Sequence, residues 1–342
     1  MVKLYVNAEG TVVLNPQVKK ATIGSGAEKQ QANFKSSASA PIMTYQGGRH
    51  IASAEVYAIF MGDWTSTADQ LRATRLTQFV KDLIASDWMK IMNQYNFTGG
   101  TFKQAIFLPD TVTTLTGKTF DGALQAAIDS KLIPEPTKAV GVDSLYIVYL
   151  DNKMMISDDS IGIAVCEPKS DTAFAYHHVF NTKMGNDFFY AVIASVDDEC
   201  ISYSCPNPAS CSLSTKLTQE QRQTQLTSHE LAETITNPDG TGWYDANSGD
   251  EIGDTCNGRS TTLTVGANTW TIQKLFSQSE SNRTNGATTC VSSASGVNDA
   301  PNTPPSVDLA AVAGNNTVLI CQAIIGISLF GIVTLIYKGK KK

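Results

Sequence analysis

The stretch from Ser228 to Cys256, SHELAETITNPDGTGWYDANSGDEIGDTC, constrains this chain more than any other part of its sequence. His229 and Glu233 are four residues apart, so on a helix they project from one face about one turn apart. The pattern is close to His-Glu-x-x-His, in which two histidines hold zinc and the glutamate activates a water. Here Glu233 stands where the second histidine would be, and Glu230 is the candidate catalytic base of a degenerate motif.

A third metal ligand is available beyond the predicted helix. Glu251 follows Glu233 by 18 residues, similar to the spacing at which zincins of the glutamate type bring in their third ligand, and Asp254 is the alternative. One histidine with two carboxylates offsets more of the charge of zinc than two histidines with one glutamate, so the bound water is less acidic. Calcium, or no metal at all, therefore competes with zinc. Without a metal, His229 would hydrogen-bond a carboxylate and the acidic residues would cap the helix and the turn.

His177 and His178 offer a second source of histidine. On a strand they point to opposite faces, so at most one of them can reach the site. In a sheet of the zincin type the edge strand lines the cleft, which makes His177 a further candidate metal ligand. The alternative for His177 is a surface or packing role.

An apolar run of 20 residues extends from Val318 to Tyr337. At 1.5 Å per residue, a helix of this length spans the ~30 Å hydrocarbon core of a bilayer. Lysines follow the run, and the positive-inside rule keeps them cytoplasmic. Residues 1–41 contain no apolar stretch of the signal-peptide type. We therefore expect a tail-anchored, single-pass protein with a transmembrane helix at 317–338 and a basic cytoplasmic tail at 339–342.

Six of the seven cysteines precede this run, and Cys321 lies inside it. An even number suggests disulfides in an oxidising compartment, which would place the domain in the extracellular or lumenal space or on a virion membrane. Reduced thiols or a cysteine zinc site are the alternatives, and six cysteines allow fifteen pairings. The disulfide candidates are Cys166, Cys200, Cys205, Cys211, Cys256 and Cys290.

Strand and helix patterns alternate through residues 51–291. Strands are predicted at 52–61, 102–108, 145–150, 161–166, 172–180 and 187–196, a hairpin at 261–275, and helices from Trp64, at 121–132 and at 217–235. The first helix carries an apolar face of Leu71, Leu76, Phe79, Val80 and Leu83. This order predicts an α/β (α+β) fold: a zincin-like mixed sheet with right-handed crossovers, flanking helices and a last long helix that carries the His229 motif.

Composition separates the remaining segments. Residues 1–50 are polar and are predicted to form an extended arm that contacts neighbouring protein subunits. Residues 292–316 contain three prolines and many small residues, as in a flexible stalk. The net charge of −6 is spread without a basic patch, which argues against a nucleic-acid partner.

Motifs between Glu55 and Val291 resemble the EXORDIUM, or phosphate-induced, protein family of plants. The resemblance is carried by Tyr57 to Trp64, Asp143 to Leu150, Tyr176-His177, Phe189 to Ser195 with Cys200 and Cys205, His229-Glu-Leu-Ala-Glu233, Asn237-Pro238, Trp243-Tyr244, Glu251-Ile252, Asp254 and Cys256. It implies an extracellular, disulfide-bearing domain of zincin type associated with growth responses. Members of that family are typically secreted through a signal peptide and lack a C-terminal anchor, so this chain departs from the family at both ends.

Three functions fit these features. The first is a membrane-anchored, metal-dependent hydrolase of peptide or cell-wall substrates. The second is a non-catalytic module that binds carbohydrate or protein at a surface, with Trp243 and Tyr244 available to stack on sugar rings. The third is a structural protein, such as a membrane-associated minor component of a large virus particle. Each of them has the lipid bilayer as a partner through the run from Val318 to Tyr337.

Overall fold

This computed structural model describes residues 41–109, 114–137, 139–158, 163–167, 173–204, 213, 216–285 and 289–294, together with the backbone of two N-terminal strands. These residues belong to the first of two units, Met1–Pro301. The second unit, Asn302–Lys342, lies outside the described residues, and so do the predicted transmembrane helix at 317–338, the basic tail at 339–342, and most of the predicted arm and stalk. Within the described ranges, no helix combines the length and the apolarity that crossing a bilayer requires.

The helices and strands follow the order expected of an alternating fold. The helices are α1 (Thr67–Ile84), α2 (Gly117–Asp129), α3 (Asp198–Ser204), α4 (Gln219–Thr236) and α5 (Gln278–Arg283), with 3₁₀ helices at Asp87–Tyr95 and Asp254–Cys256. The strands are β1 (Lys3–Val6), β2 (Val12–Asn15), β3 (Met43–Tyr45), β4 (Ala54–Met61), β5 (Gly100–Leu108), β6 (Thr114–Leu115), β7 (Asp143–Leu150), β8 (Met155–Asp158), β9 (Ile163–Val165), β10 (Ala175–Asn181), β11 (Asp187–Ile193), β12 (Trp243–Asp245), β13 (Ser260–Val265), β14 (Asn268–Gln273), β15 (Leu275–Phe276) and β16 (Cys290–Val291).

The centre of the fold is a five-stranded mixed sheet in the order β10-β11-β7-β4-β5. Neighbours from β11 to β5 are parallel, and β10 runs antiparallel at one edge. Helix α1 packs against β4 and β5, and α4 packs against β7, β10 and β11. The predicted mixed sheet with flanking helices is therefore confirmed. Because β10 is the edge strand, His177 lies at the edge next to α4, where the sequence pattern places it.

Strands β4, β7 and β11 are buried at nearly every position, as expected of strands covered on both faces. The prediction of Leu71 as a core residue is wrong, because its side chain is 64% exposed. The buried apolar stripe of α1 runs through Ala73, Leu76, Val80 and Leu83 at spacings of three and four, and Leu71 lies five residues before Leu76. Five residues are about 140° further around a helix, which turns Leu71 towards solvent.

Two disulfides join described residues, Cys166 to Cys200 and Cys256 to Cys290, and each closes a separation of 34 residues. The first links the end of β9 to α3. The second links the 3₁₀ helix Asp254–Cys256 to β16. The other two candidates, Cys205 and Cys211, lie outside the described residues.

Candidate metal centre

Helix α4 brings the motif residues into the interior of the protein. It begins at a capping box, in which the Thr218 hydroxyl accepts from the Gln221 backbone amide and the Gln221 side chain accepts from the Thr218 amide. It ends before Pro238, which lacks the N–H that a further helical turn needs. Every residue from Arg222 to Thr236 is buried. His229, Glu230 and Glu233 are therefore all shielded from water.

A polar helix can be buried in this way because its side chains bond to the surrounding elements. Gln223 donates to the carbonyl of Ala194 beyond β11, and Thr224 donates to the carbonyl of Thr271 in β14. Not every buried polar atom is satisfied. Gln223 Oε1 and both amide atoms of Gln225 make no hydrogen bond within the described residues. Buried polar groups in native proteins are nearly always paired, so this helix lies where waters or ions are expected.

The loop between β12 and β13 carries the other two acidic candidates. The backbone amides of Gly253 and Asp254 donate to Glu233 Oε1, over 3.2 and 3.0 Å. A β-carbon at position 253 would lie 2.8 Å from both Glu233 Oε1 and His229 Nδ1, so a larger residue there would displace both side chains. Glu251 is held separately, as an acceptor from the side-chain amide of Asn237 at the end of α4.

The first candidate metal group consists of His229, Glu233 and Asp254, with ligand atoms within 4.8 Å of one another. His229 Nε2 lies 3.1 Å from Glu233 Oε2 and 3.8 Å from Asp254 Oδ1. That nitrogen is buried and makes no hydrogen bond within the described part of the chain. Asp254, with its side chain 13% exposed, is the member of the group nearest to solvent.

Gln273, the last residue of β14, orients the His229 ring. Its Nε2 lies 2.7 Å from His229 Nδ1 and donates to the carbonyl of Gly253 over 2.8 Å. With the amide in this orientation His229 Nδ1 accepts and Nε2 carries the ring proton. Metal binding through Nε2 requires Nδ1 to carry the proton instead, so the Gln273 oxygen would have to face the ring and the bond to the Gly253 carbonyl would be lost. Gln273 is thus the residue that sets which ring nitrogen of His229 has a lone pair to offer.

The second candidate metal group consists of His177, Glu233 and Glu251, with ligand atoms again within 4.8 Å. His177 Nε2 lies 3.5 Å from Glu251 Oε1 and 3.2 Å from the carbonyl oxygen of Asn237. Its Nδ1 lies 3.4 Å from Glu230 Oε2 and 3.8 Å from Glu233 Oε2. The surface alternative for His177 is wrong, because the residue is buried. His178 is half-buried and packs its ring against Tyr190.

The two groups differ from the sequence prediction in one respect. Glu251 and Asp254 were expected as alternative third ligands for one ion held by His229 and Glu233. The structure assigns them to different groups that share only Glu233. Glu230 belongs to neither group and contacts His177.

Burial and like charge dominate the electrostatics of the cluster. Burial raises the pKa of Asp254 well above its ordinary range, and the negative charge of Glu233 raises it further. Burial lowers the pKa of His229, while Asp254 acts in the opposite direction. The two histidines and the carboxylates around them are a donor set that suits a divalent cation, since a positive ion would offset charges that water cannot reach.

No family model matches this chain, and no curated protein matches it. Among solved structures, it is similar to the crystal structure of metalloproteinase-II from Bacteroides fragilis, at 12% sequence identity and a TM-score of 0.24. The match covers 65% of this chain and 57% of that one. A likeness this weak carries no argument about fold or function, so the case for a metal rests on the side chains themselves.

Two further residues of the region have roles that sequence reasoning did not assign. Gln273 follows the apolar residues of a strand, and nothing in the local pattern marks it as a partner of a residue 44 positions earlier. Gly253 stands in an acidic turn, where its glycine signal indicates a bend but not a close approach to a helix. Trp243 is buried and packs against Tyr45 and Tyr95, so its ring closes the core and is not open to a sugar; Tyr244 is half-buried.

Proposed function

We propose that this chain is a divalent-metal-binding protein of the zincin type, with zinc held by His229, Glu233 and Asp254. The observation that carries the proposal is His229 Nε2, which is buried, makes no hydrogen bond to any residue that the structure describes, and faces two carboxylates. Zinc bonds of 2.0–2.2 Å place two tetrahedral ligand atoms about 3.3–3.6 Å apart. The observed separations of 3.1 and 3.8 Å bracket that value. The histidine nitrogen favours zinc over calcium, which prefers oxygen ligands alone.

The test is the zinc content of the full chain and of two neighbouring variants. We expect zinc in the purified wild-type chain, about one ion per chain less in His229→Ala, and no change in Glu230→Gln. Glu230 is a matched control because it is the adjacent residue, is equally buried and belongs to neither metal group. Equal zinc in His229→Ala and wild type, or none in the wild type, would contradict the proposal.

Hydrolysis of peptide or cell-wall substrates is a second candidate, and the position of Glu230 favours it. Glu230 Oε2 lies 3.4 Å from His177 Nδ1, and Glu230 lies one helical turn before Glu233, a member of both metal groups. A bound zinc would supply Lewis-acid chemistry for water or a carbonyl. Glu230 is then the residue placed to hold the proton, and Glu230→Gln should keep its zinc and lose turnover. Equal turnover would remove Glu230 from the reaction.

The burial of the ligands favours a non-catalytic role for the metal. Structural zinc sites are closed by protein, whereas catalytic sites keep one position open to water or substrate. Here only Asp254 retains measurable exposure of the side chains in the first group. A wild-type chain that melts at a higher temperature with zinc, but turns over no peptide or cell-wall material, fits a surface-binding or virion structural protein.

We also propose that the run from Val318 to Tyr337 anchors the protein in a membrane, with residues 339–342 cytoplasmic and the domain extracellular, lumenal or on a virion. The two disulfides support a compartment that allows cysteine oxidation. The resemblance to the EXORDIUM family would place a domain of that type on this anchor. Within residues 1–50, strand β3 pairs with β12 in the domain, and the residues before β3 are proposed to contact neighbouring subunits.

Membrane fractionation checks the anchor. The full chain should remain in the membrane pellet after carbonate extraction, because about twenty apolar residues bury enough surface to resist it. A chain that ends at residue 316 should appear in the soluble fraction. Release of the full chain by carbonate would contradict a spanning helix.

A further inference from the structure

The two candidate metal groups share one residue, and that residue lies between two histidines. Glu233 Oε2 is 3.1 Å from His229 Nε2 on one side and 3.8 Å from His177 Nδ1 on the other. The two histidines do not fall into one group of mutually close ligand atoms. A single ion bound by both imidazoles is therefore not the arrangement that the side chains favour.

We infer that the centre holds two divalent cations, with Glu233 as the carboxylate that bridges them. The inference rests on the proposed function, since it adds a second ion to the His229, Glu233 and Asp254 group. The second ion takes His177, Glu233 and Glu251 as its ligands. Two-metal sites hold their ions about 3.5–4 Å apart, a separation that one carboxylate can bridge.

The second group is built from side chains that other contacts hold in place. His177 is fixed on edge strand β10, which pairs with β11 along seven residues. Glu251 is fixed by the side-chain amide of Asn237, whose carbonyl oxygen also lies 3.2 Å from His177 Nε2. One ligand atom from each of His177, Glu233 and Glu251 lies within 4.8 Å of the other two, and all three side chains are buried.

Charge supports two ions rather than one. Glu230, Glu233, Glu251 and Asp254 form one continuous cluster around the two imidazoles. When all four carboxylates are ionised, one divalent cation leaves a net charge of about −2 in a buried space, and two cations neutralise it. His229 Nε2, which has no hydrogen bond among the described residues, marks the first position, and the shared Glu233 couples it to the second.

The experiment is a metal titration of the full chain after removal of bound metal with a chelator. Mn²⁺ is added and counted by equilibrium dialysis, and its electron paramagnetic resonance spectrum is recorded at saturation. Two ions per chain are expected, with the exchange-coupled spectrum that neighbouring Mn²⁺ ions give. Zn²⁺ counted in the same way should reach the same number.

Two variants separate the positions. Glu251→Gln keeps an oxygen for the Asn237 amide but removes the charge, so we expect one Mn²⁺ per chain and an uncoupled spectrum. His229→Ala should also bind one ion, because it leaves the His177 group intact. Circular dichroism tests whether each variant is folded. If a variant is unfolded, the number of ions bound by the wild type decides between one position and two.

The outcomes distinguish this inference from the proposed function. One ion in the wild type, unchanged in Glu251→Gln and lost in His229→Ala, overturns the second position and leaves the proposed function standing. Two ions without spectral coupling overturn the bridge through Glu233. No ion at any concentration overturns both.

Discussion

Replacing Glu233 with glutamine is expected to remove all bound metal and also to raise the melting temperature of the metal-free protein. The metal is lost because the Glu233 carboxylate belongs to both ligand groups. The metal-free protein gains stability because Glu233 is, after burial, the largest cause of the raised pKa of Asp254. Removing its charge relieves repulsion among carboxylates that water does not screen. Glutamine has nearly the same shape and keeps an oxygen that accepts from the amides of Gly253 and Asp254.

Two melting curves for each protein measure this pair of effects. With zinc at a thousand times its dissociation constant, the wild type gains about 4 kcal/mol that Glu233→Gln does not. With a chelator, the variant should melt about 2–4 °C above the wild type for each kcal/mol of repulsion relieved. Glu230→Gln is the control and should retain the response to zinc. A Glu233→Gln chain that responds to zinc like the wild type would exclude Glu233 as a ligand.

Replacing Cys256 and Cys290 together with serine is expected to cost stability and metal affinity at once. A crosslink that closes 34 residues stabilises the folded state by about 4 kcal/mol through the entropy of the unfolded chain. Cys256 lies two residues after Asp254, in the 3₁₀ helix that directs this carboxylate towards His229. Without the crosslink that helix loses its covalent tether to β16, so metal bound at a concentration that saturates the wild type should fall.

The other disulfide is an unusually close control for this experiment. Cys166 and Cys200 are also 34 residues apart, so serine at both positions should cost a similar free energy of unfolding. Neither cysteine lies in a metal group, and the metal content of this variant should equal that of the wild type. Equal metal loss from both pairs would mean that general destabilisation releases the ion, not a specific effect on the Asp254 turn.

The parts of the fold that sequence predicts well are those in which one local signal dominates. Strands β4 and β7 are largely apolar runs, and this lack of alternation is what a strand buried on both faces shows in sequence. Helix α4 carries a Thr-x-x-Gln capping box at its start and a proline after its end, so its bounds were predicted to within two residues. Helix α2 was predicted to begin four residues too late, because Thr119 completes its capping box in place of the glutamate or glutamine of the usual pattern.

At the candidate site, local sequence signals do not predict how the side chains are arranged. Spacing along the chain indicates that Glu251 and Asp254 come back towards α4, but it does not show on which side of the helix each arrives. The glycine between them allows the backbone to press against Glu233 and His229, and the two carboxylates leave the loop in different directions. Gln273 and His177 reach the site only through strand pairing and sheet order, which are properties of the whole fold.

The complete burial of α4 from Arg222 to Thr236 has a consequence for when the protein acquires its metal. A divalent ion at the proposed site would lie behind this helix, with Asp254, 13% exposed, as the ligand nearest to water, so its exchange should be slow while the helix is docked. Slow exchange would favour loading during synthesis and folding, when the carboxylates are still hydrated and can collect a cation as they come together. Metal supply in the compartment of folding, more than affinity measured later, would determine which ion the mature protein carries.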